Sequence, residues 1–181
     1  TTQFEDFREY FKGLSLALRD SISNIKGEHK ILGIGVGAAN GNYYKGTIER
    51  ATNLPWKGII PLADMLKEEF QIPAIVTNDA NAAAVGEMVY GSAKGMKDFI
   101  VITLGTGLGS GFVANGQLLN GKHGIAGEVG HTSVNPAGRF CNCGKRGCLE
   151  TYVSATGIRR TVYKLLADHL EDSELRGISF D

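Results

Sequence analysis

The order of apolar runs in the first half of the chain constrains the fold more than any other feature. Two short apolar runs, 30–38 and 72–77, predict strands buried on both faces, and 62–70 and 80–89 predict helices. This strand–helix–strand–helix order is typical of an α/β fold with a parallel sheet and crossover helices. Ligands bind beyond the carboxyl ends of such strands. Asn78 and Asp79 directly follow the second run and are therefore candidate site residues.

The second half of the chain predicts a different, antiparallel arrangement. In order, the pattern predicts a strand over 99–104, a glycine turn over 105–111, a strand over 112–114 and a helix over 149–169. Asn115 and Gly116 form a type I′ hairpin signal after the second of these strands. The polar connection 91–98 separates this meander from the first half. We therefore expect 1–91 to belong to an N-terminal α/β domain and 92–181 to a C-terminal one.

Composition excludes two classes of partner. The chain has 19 Lys and Arg residues against 19 Asp and Glu residues, so its formal net charge is zero. A nucleic-acid or anionic-membrane binder would carry a basic excess. No apolar run approaches the roughly 18 residues that a transmembrane helix needs. We therefore expect neither nucleic acid nor a membrane among the partners. Thr1 to Asp6 also lack the basic-then-apolar order of a secretory signal, which favours a cytoplasmic location.

Three cysteines occur close together in a glycine-rich segment. Cys141, Cys143 and Cys148 follow His131, the only histidine close upstream of them. Three thiolates and one imidazole are a tetrahedral donor set that suits structural Zn²⁺. The spacing therefore predicts a zinc loop over 131–148. The alternative is that these cysteines bind no metal. A disulfide framework is not favoured, because the number of cysteines is odd.

Glycines are concentrated in the same half, since twelve of the 25 lie between residues 103 and 147. Gly105, Thr106, Gly107 and Gly109 follow a predicted strand without the lysine of a P-loop and without a helix start. Successive backbone N–H groups in such a turn can bind an anion, so these four residues are candidate phosphate ligands. A plain hairpin turn is the alternative.

Polar residues beside these compact segments suggest sugar chemistry. Asn78 and Asp79, together with Glu128, His131 and Glu150, offer donors and acceptors of the kind that ring hydroxyls need. A carboxylate that contacts a hydroxyl can also take its proton as a general base. The alternative for each residue alone is a solvated surface position.

Longer motifs carry a resemblance to a known family. The segments 124–131 (GIAGEVGH) and 141–150 (CNCGKRGCLE) resemble the signature of the ROK family of repressors, open reading frames and sugar kinases. The segments 78–87 (NDANAAAVGE), 104–111 (LGTGLGSG) and 53–56 (NLPW) resemble its connecting motif, its second phosphate motif and its sugar-side loop. The resemblance covers about 31–157.

The resemblance implies a fold, an activity and a set of roles. The fold is that of the actin-like, ribonuclease H-like ATPases, with two α/β domains around a cleft. The activity is ATP-dependent phosphorylation of a hexose, most simply glucose, at its 6-hydroxyl, with Mg²⁺ accompanying ATP. Asp79 would be the general base. Sugar ligands would be Asn53, Asn78, Asp79, Glu128, His131 and Glu150, while His131 and the three cysteines would bind zinc. A cytoplasmic homodimer is the implied assembly.

Two departures from the family pattern leave alternatives. The Asp-x-Gly-x-Thr phosphate hairpin and the glycine-rich adenosine segment of the family are absent, so we expect the fold to be truncated at both ends. A sugar-sensing repressor, an N-acetylhexosamine kinase and a zinc-loop interaction module are the other hypotheses. Apolar residues recur at helical spacing from Phe4 to Ile25. Residues 1–30 therefore predict one amphipathic helix rather than a winged helix-turn-helix, and this favours the enzyme.

Overall fold

The computed structural model describes residues 4–50 and 54–178. The helices are Phe7–Ser23 (α1), Leu62–Phe70 (α2), Asp79–Val89 (α3), Glu150–Val153 (α4) and Ala155–Asp168 (α5), with 3₁₀ turns at Val129–His131 and Glu174–Gly177. The strands are Ile34–Gly37 (β1), Gly41–Asn42 (β2), Thr47–Glu49 (β3), Ile59–Ile60 (β4), Ala74–Thr77 (β5), Phe99–Leu104 (β6), Leu108–Ala114 (β7) and Gln117–Leu118 (β8). Within this described part of the chain, no helix is long and apolar enough to cross a membrane.

The first sheet has the predicted parallel order. Strands β1 and β5 pair in parallel, with Ile34 opposite Ala74 and Gly37 opposite Thr77. The apolar core forms where α2 and the small β2–β4 sheet pack beside it, and Leu66 and Val76 are fully buried there. Apolar side chains of α1, such as Phe7 and Phe11, pack against the same core. The predicted amphipathic helix is therefore confirmed as a core-facing element.

Two predictions about this region were wrong or incomplete. The strands are not buried on both faces, because Ile75 of β5 is 53% exposed and Gly35 and Gly37 of β1 are also exposed. The antiparallel sheet of β2, β3 and β4 was missed altogether. Its strands have only two or three residues each, which is too short for a period-two pattern to appear in the sequence.

Helix α3 packs against the β1–β5 sheet and against the β6–β8 sheet. Its Ala82 faces Gly37 of β1, while Ala84 faces Gly111 of β7 so closely that a Cβ on Gly111 would lie 2.6 Å from the Ala84 methyl group. Small side chains on both partners therefore allow the helix backbone to approach the sheet. The domain boundary predicted after residue 91 lies just beyond the end of this helix. The division of the chain into two domains stays a prediction.

The antiparallel meander is confirmed, with one correction to its turn. Strands β6 and β7 pair from Phe99 opposite Val113 to Leu104 opposite Leu108, so the turn covers only 105–107 and not 105–111. Positive φ angles at Asn115 and Gly116 (52° and 73°) agree with the predicted type I′ hairpin. The predicted helix over 149–169 is two helices, because Ser154 has an extended backbone and caps α5.

Candidate functional site

One cleft of about 740 Å³ collects most of the predicted site residues. Its lining includes Asn78, Asp79, Gly105, Thr106, Gly107, Gly109, Glu128, His131, Cys141, Cys143 and Glu150. Cys148 does not line the cleft but lies fully buried next to Cys143. Asn53, which was predicted as a sugar ligand, lies outside the described residues. The residues brought together come from the β5–α3 junction, from the β6–β7 turn and the start of β7, and from the segment between β8 and the start of α4.

The first two site residues are placed by the start of α3. Asn78 is its N-cap, and the Asn78 Oδ1 accepts hydrogen bonds from the backbone N–H groups of Ala80 and Asn81 at 2.8 and 3.3 Å. This use of Oδ1 leaves the Nδ2 group of Asn78 as its donor for a ligand. Asp79 is exposed at the cleft, and its Oδ1 also accepts from the Ala80 N–H at 2.9 Å. The cap therefore fixes both side chains relative to the sheet.

Glu128 and His131 are placed by a loop that lies directly on β7. A Cβ on Gly127 would lie 2.6 Å from the carbonyl oxygen of Ser110, and Gly127 has a φ of +93°. Gly130 approaches the Leu108 carbonyl just as closely. Glycine is required at Gly127 because a side chain would meet both a steric and a conformational penalty. Close packing of this loop brings the side chains of Glu128 and His131 to the cleft.

The carboxyl groups of the cleft influence one another. Partial burial raises the pKa of Glu128, although 48% of its side chain is exposed, and the nearby charges of Asp79 and Glu150 raise it further. His131 opposes this shift because a positive imidazolium favours the carboxylate. The carboxylates of Asp79, Glu128 and Glu150 are thus close enough to interact.

The four predicted metal ligands come together in the structure. His131, Cys141, Cys143 and Cys148 each present one donor atom, and these atoms all lie within 4.8 Å of one another. The Sγ atoms of Cys143 and Cys148 are 3.6 Å apart, and the Cys141 Sγ is 3.5 Å from the His131 Nδ1. A tetrahedral zinc site with bonds of about 2.0–2.3 Å places such donor pairs about 3.5–3.8 Å apart. The donor set and its spacing therefore fit Zn²⁺.

The thiols of this cluster differ in their surroundings. Burial raises the pKa of Cys141, whose Sγ–H also donates to the Glu150 Oε1 at 2.9 Å. Burial likewise raises the pKa of Cys148. Burial acts in the same direction at Cys143, but the Lys145 backbone N–H and the neighbouring thiols give this exposed residue a lowered pKa. Two buried thiols would be stabilised in their ionised form by a cation between them.

The glycine turn joins the carboxylate side of the cleft to α5. A Cβ on Gly107 would lie 2.9 Å from the Glu150 Oε2, so the turn reaches that carboxylate closely. The Gly105 carbonyl accepts a hydrogen bond from the Ala155 N–H, the first residue of α5, at 2.9 Å. Gly109 stands in β7 opposite Thr103, and not in the turn. The role of the four predicted phosphate ligands stays a prediction.

Asn40 and Arg160 are among the cleft residues that sequence reasoning missed. Asn40 follows β1 as Asn78 follows β5, so the rule about strand ends could have found it. Its φ of +56° is one that asparagine tolerates better than most residues. Arg160 lies near the middle of α5, and nothing in the sequence showed which side of that helix faces the cleft.

The chain was compared with known proteins. A sequence model of the ROK family matches residues 8–179. A glucokinase of Halalkalibacterium halodurans is 49% identical over 153 residues, which are 81% of this chain and 46% of that protein. A xylose repressor of Caldicellulosiruptor bescii is 39% identical over 144 residues, or 78% of this chain and 36% of that protein.

A solved structure is similar over nearly the same range. It is a ROK family glucokinase from Streptomyces griseus in complex with glucose and AMPPNP, with a TM-score of 0.72 and 36% identity. The match covers 88% of this chain and 51% of that one. The chain thus spans about half the length of these glucokinases, and its fold is the predicted one of the ROK sugar kinases.

Proposed function

Because the chain belongs to the ROK family, we propose that it supplies the sugar-binding part of an enzyme that transfers a phosphoryl group from ATP to the 6-hydroxyl of a hexose. Glucose is the proposed substrate and Asp79 the proposed general base. The observation that carries this proposal is the cleft, in which Asp79 is exposed opposite a group of sugar-type ligands. The predicted cytoplasmic location and homodimer belong to this proposal.

Asp79 has the position and chemistry that a general base needs. Its side chain is exposed in the cleft, and among the described residues only the Ala80 N–H donates a hydrogen bond to it, at Oδ1. The other oxygen is available to accept the proton of a substrate hydroxyl as that hydroxyl oxygen attacks the terminal phosphorus atom of ATP. The bond from this phosphorus to the bridging oxygen breaks, and ADP leaves. ATP supplies the transferred group, and Mg²⁺ would balance the charge of its phosphates.

The remaining polar groups would hold the sugar by its hydroxyls. Asn78 offers its Nδ2 donor, while Glu128 and Glu150 offer carboxylate acceptors beside His131. Each ring hydroxyl is both a donor and an acceptor, so this mixed set suits a sugar better than an apolar ligand. Because Asp79 occupies the reacting end, we place Glu128 and Glu150 at the hydroxyls remote from the 6-hydroxyl.

The proposed zinc would act on sugar binding through His131. The Nδ1 of His131 faces the Cys141 thiol, and its Nε2 lies 3.9 Å from the Glu128 Oε2. A bound Zn²⁺ would fix the tautomer and orientation of this ring. His131 would then present a defined Nε2–H toward the carboxylate and the sugar.

A sugar-responsive repressor is the second candidate, favoured by the similarity to a xylose repressor. A sensor needs the sugar ligands but has no need of a proton acceptor at the reacting end. ATP consumption by the complete protein, measured with glucose, xylose, N-acetylmannosamine, N-acetylglucosamine, allose and fructose, separates the two functions. Sugar binding without ATP consumption would support the repressor.

The role of Asp79 is tested by Asp79→Asn in the complete protein. The amide keeps the shape but accepts no proton, so we expect kcat to fall by roughly 10²–10⁴ with a much smaller change in sugar affinity. Asp64→Asn is the matched control, because Asp64 lies in the first turn of α2 as Asp79 lies in that of α3. An Asp79→Asn enzyme with normal kcat would exclude Asp79 as the base.

A further inference from the structure

The charges that line the cleft are strongly unbalanced. Asp79, Glu128 and Glu150 contribute three carboxyl groups. Among the described residues that line the cleft, Arg160 is the only lysine or arginine. The phosphate tail of a nucleotide is highly anionic, so the carboxylates would repel it unless a cation lies on its side of the cleft. The glycine turn offers backbone N–H groups but carries no charged side chain of its own.

The position of Arg160 relative to the turn is fixed by hydrogen bonds. Its helix, α5, begins at Ala155, whose N–H donates to the Gly105 carbonyl of the turn at 2.9 Å. Arg139 also fixes this helix, because its Nη1 donates a hydrogen bond to the Gly157 carbonyl at 2.9 Å. Thr156 lines the cleft one helical turn before Arg160, so both side chains belong to one face of α5. The Arg160 guanidinium therefore extends from α5, the helix to which the glycine turn is hydrogen-bonded.

Arg160 is also free to bind a ligand. The residue is exposed, and within the described part of the chain its guanidinium has neither a hydrogen bond nor an ion pair. Two other arginines of this region are engaged, since Arg139 binds backbone carbonyls and Arg146 stacks on the ring of Phe140. An arginine offers a planar fork of N–H donors that matches two phosphate oxygens at once.

We propose that Arg160 binds the phosphate tail of the nucleotide on the α5 side of the cleft, beside the glycine turn. This assignment rests on the proposed kinase function and adds to it a residue that neither the motifs nor the glycine turn supplies. The carboxylates and Arg160 then divide the cleft into a sugar end and a phosphate end. Attraction to Arg160 and repulsion from the carboxylates would hold the phosphate tail at the α5 end of the cleft and leave the carboxylate end to the sugar.

The test compares Arg160→Gln with Arg159→Gln in the complete protein. Arg159 is the neighbouring residue on the same helix and does not line the cleft, so it controls for loss of charge and for effects on helix stability. We expect Arg160→Gln to raise the KM for ATP and the Kd for ADP about 10- to 100-fold, the loss typical of a charge-assisted hydrogen bond. Arg159→Gln should change neither constant, and the Kd for glucose should be unchanged in both variants.

Arg160→Lys adds a graded measurement. Lysine keeps the positive charge but not the fork, so ADP affinity should lie between those of the original protein and Arg160→Gln. This variant also answers the question if Arg160→Gln proves unstable. Equal ADP affinity for the original protein and all three variants would overturn the proposal, as would an equal loss in the Arg159 and Arg160 variants.

Binding of tripolyphosphate, measured by calorimetry, separates this proposal from the proposed function. If the protein phosphorylates none of the sugars but Arg160→Gln lowers its affinity for tripolyphosphate, the result supports the phosphate site and contradicts the kinase assignment. If the protein phosphorylates a sugar but Arg160→Gln changes neither the KM for ATP nor the Kd for tripolyphosphate, the result supports the kinase assignment and contradicts the phosphate site. Failure of the original protein to bind ADP or tripolyphosphate would also overturn the proposal.

Discussion

The apolar core and the cysteine loop are two regions of the molecule that are held together by different physical means. The apolar core, built from α2, β4, β5 and their neighbours, buries Leu66 and Val76 completely. The cysteine loop, residues 131–148, contains only the end of a 3₁₀ turn and two isolated β-bridges. Its most buried side chains are thiols, Cys141 and Cys148. Apolar burial stabilises the first region, whereas the second lacks an apolar interior.

This difference predicts how each region depends on a ligand. Burial of apolar surface contributes to folding without any partner. Two buried thiols contribute little by themselves, but as thiolates around Zn²⁺ they convert metal binding into folding free energy. We therefore expect the core to fold without zinc and the cysteine loop to require it. Because the loop carries His131 and leads into Glu150, zinc would be coupled to sugar binding.

Loss of one buried thiolate is the prediction with the largest effect. Cys148→Ser should abolish zinc binding, whose apparent free energy in small zinc peptides is about 10–16 kcal/mol. Metal analysis should find one zinc per chain in the complete protein and none in the variant. Hydrogen exchange should accelerate within 131–150 and stay slow in α2 and β5. A Cys148→Ser variant with full zinc content and unchanged glucose affinity would show that the four-ligand site is wrong.

The reciprocal change, Leu66→Ala, should affect the core and leave the metal in place. Leu66 is fully buried, and truncating such a leucine typically costs about 2–5 kcal/mol. Chemical denaturation should report this loss, while the zinc content stays at one per chain. Leu16→Ala is the matched control, since Leu16 of α1 is 61% exposed and its truncation should cost less than about 0.5 kcal/mol. Loss of zinc on Leu66→Ala would show that the two regions do not fold independently.

The elements that sequence reasoning predicted best are short apolar or amphipathic segments bounded by proline, glycine or polar residues. Helix α2 and strand β6 have the predicted bounds, 62–70 and 99–104. The placement of Asn78 and Asp79 at a strand end is confirmed for the same reason, because a parallel strand fixes where its ligand-binding edge lies. The spacing of the cysteines also predicted a cluster that the structure brings together. These are local signals, which a single sequence carries.

The features that were missed depend on contacts between distant segments. Gly109 and Gly111 were assigned to a turn, yet they belong to β7 because α3 packs directly on them. Nothing near them in the sequence indicates that contact. Arg160 was missed because the side of α5 that faces the cleft depends on how Gly105 and Arg139 hold the helix. The prediction that β5 is buried on both faces was wrong for the same reason. The exposure of Ile75 depends on which distant segments pack against it, and its apolar neighbours in the sequence do not show this.

The smallest predicted effect concerns a polar contact near the boundary of the two regions. Glu49 of β3 accepts hydrogen bonds from the Lys45 Nζ at 2.9 Å and from the Thr47 Oγ1 at 3.0 Å. The Asn42 Nδ2 donates to Glu49 at 3.4 Å and also to the His123 carbonyl at 3.3 Å. This chain of contacts connects the β2–β3 hairpin, beside the core, to the loop that precedes Glu128 and His131.

The pKa of Glu49 gives this contact a pH dependence with a defined sign. The hydrogen bond from Lys45 is the main cause that lowers this pKa below its ordinary value, Thr47 adds to it, and partial burial opposes both. A lowered pKa in the folded state means that the carboxylate stabilises the fold above the unfolded-state pKa of about 4.3. That contribution is lost as the pH falls through the lower, folded-state value.

Glu49→Gln should therefore destabilise the complete protein by less than about 1 kcal/mol at pH 7, as expected for a partly solvated ion pair. The difference from the original protein should shrink as the pH falls from about 4.3 through the lower folded-state pKa, because Glu49 then takes up a proton and becomes neutral like the glutamine. Urea denaturation at pH 7 and pH 3.5 measures this, with Glu68→Gln as the control on an exposed helix position. A loss that is equal at both pH values would assign the effect to shape rather than charge. A fall in glucose affinity would instead show that the hairpin helps to place Glu128, and the apolar core and the cysteine loop would then be coupled through Asn42.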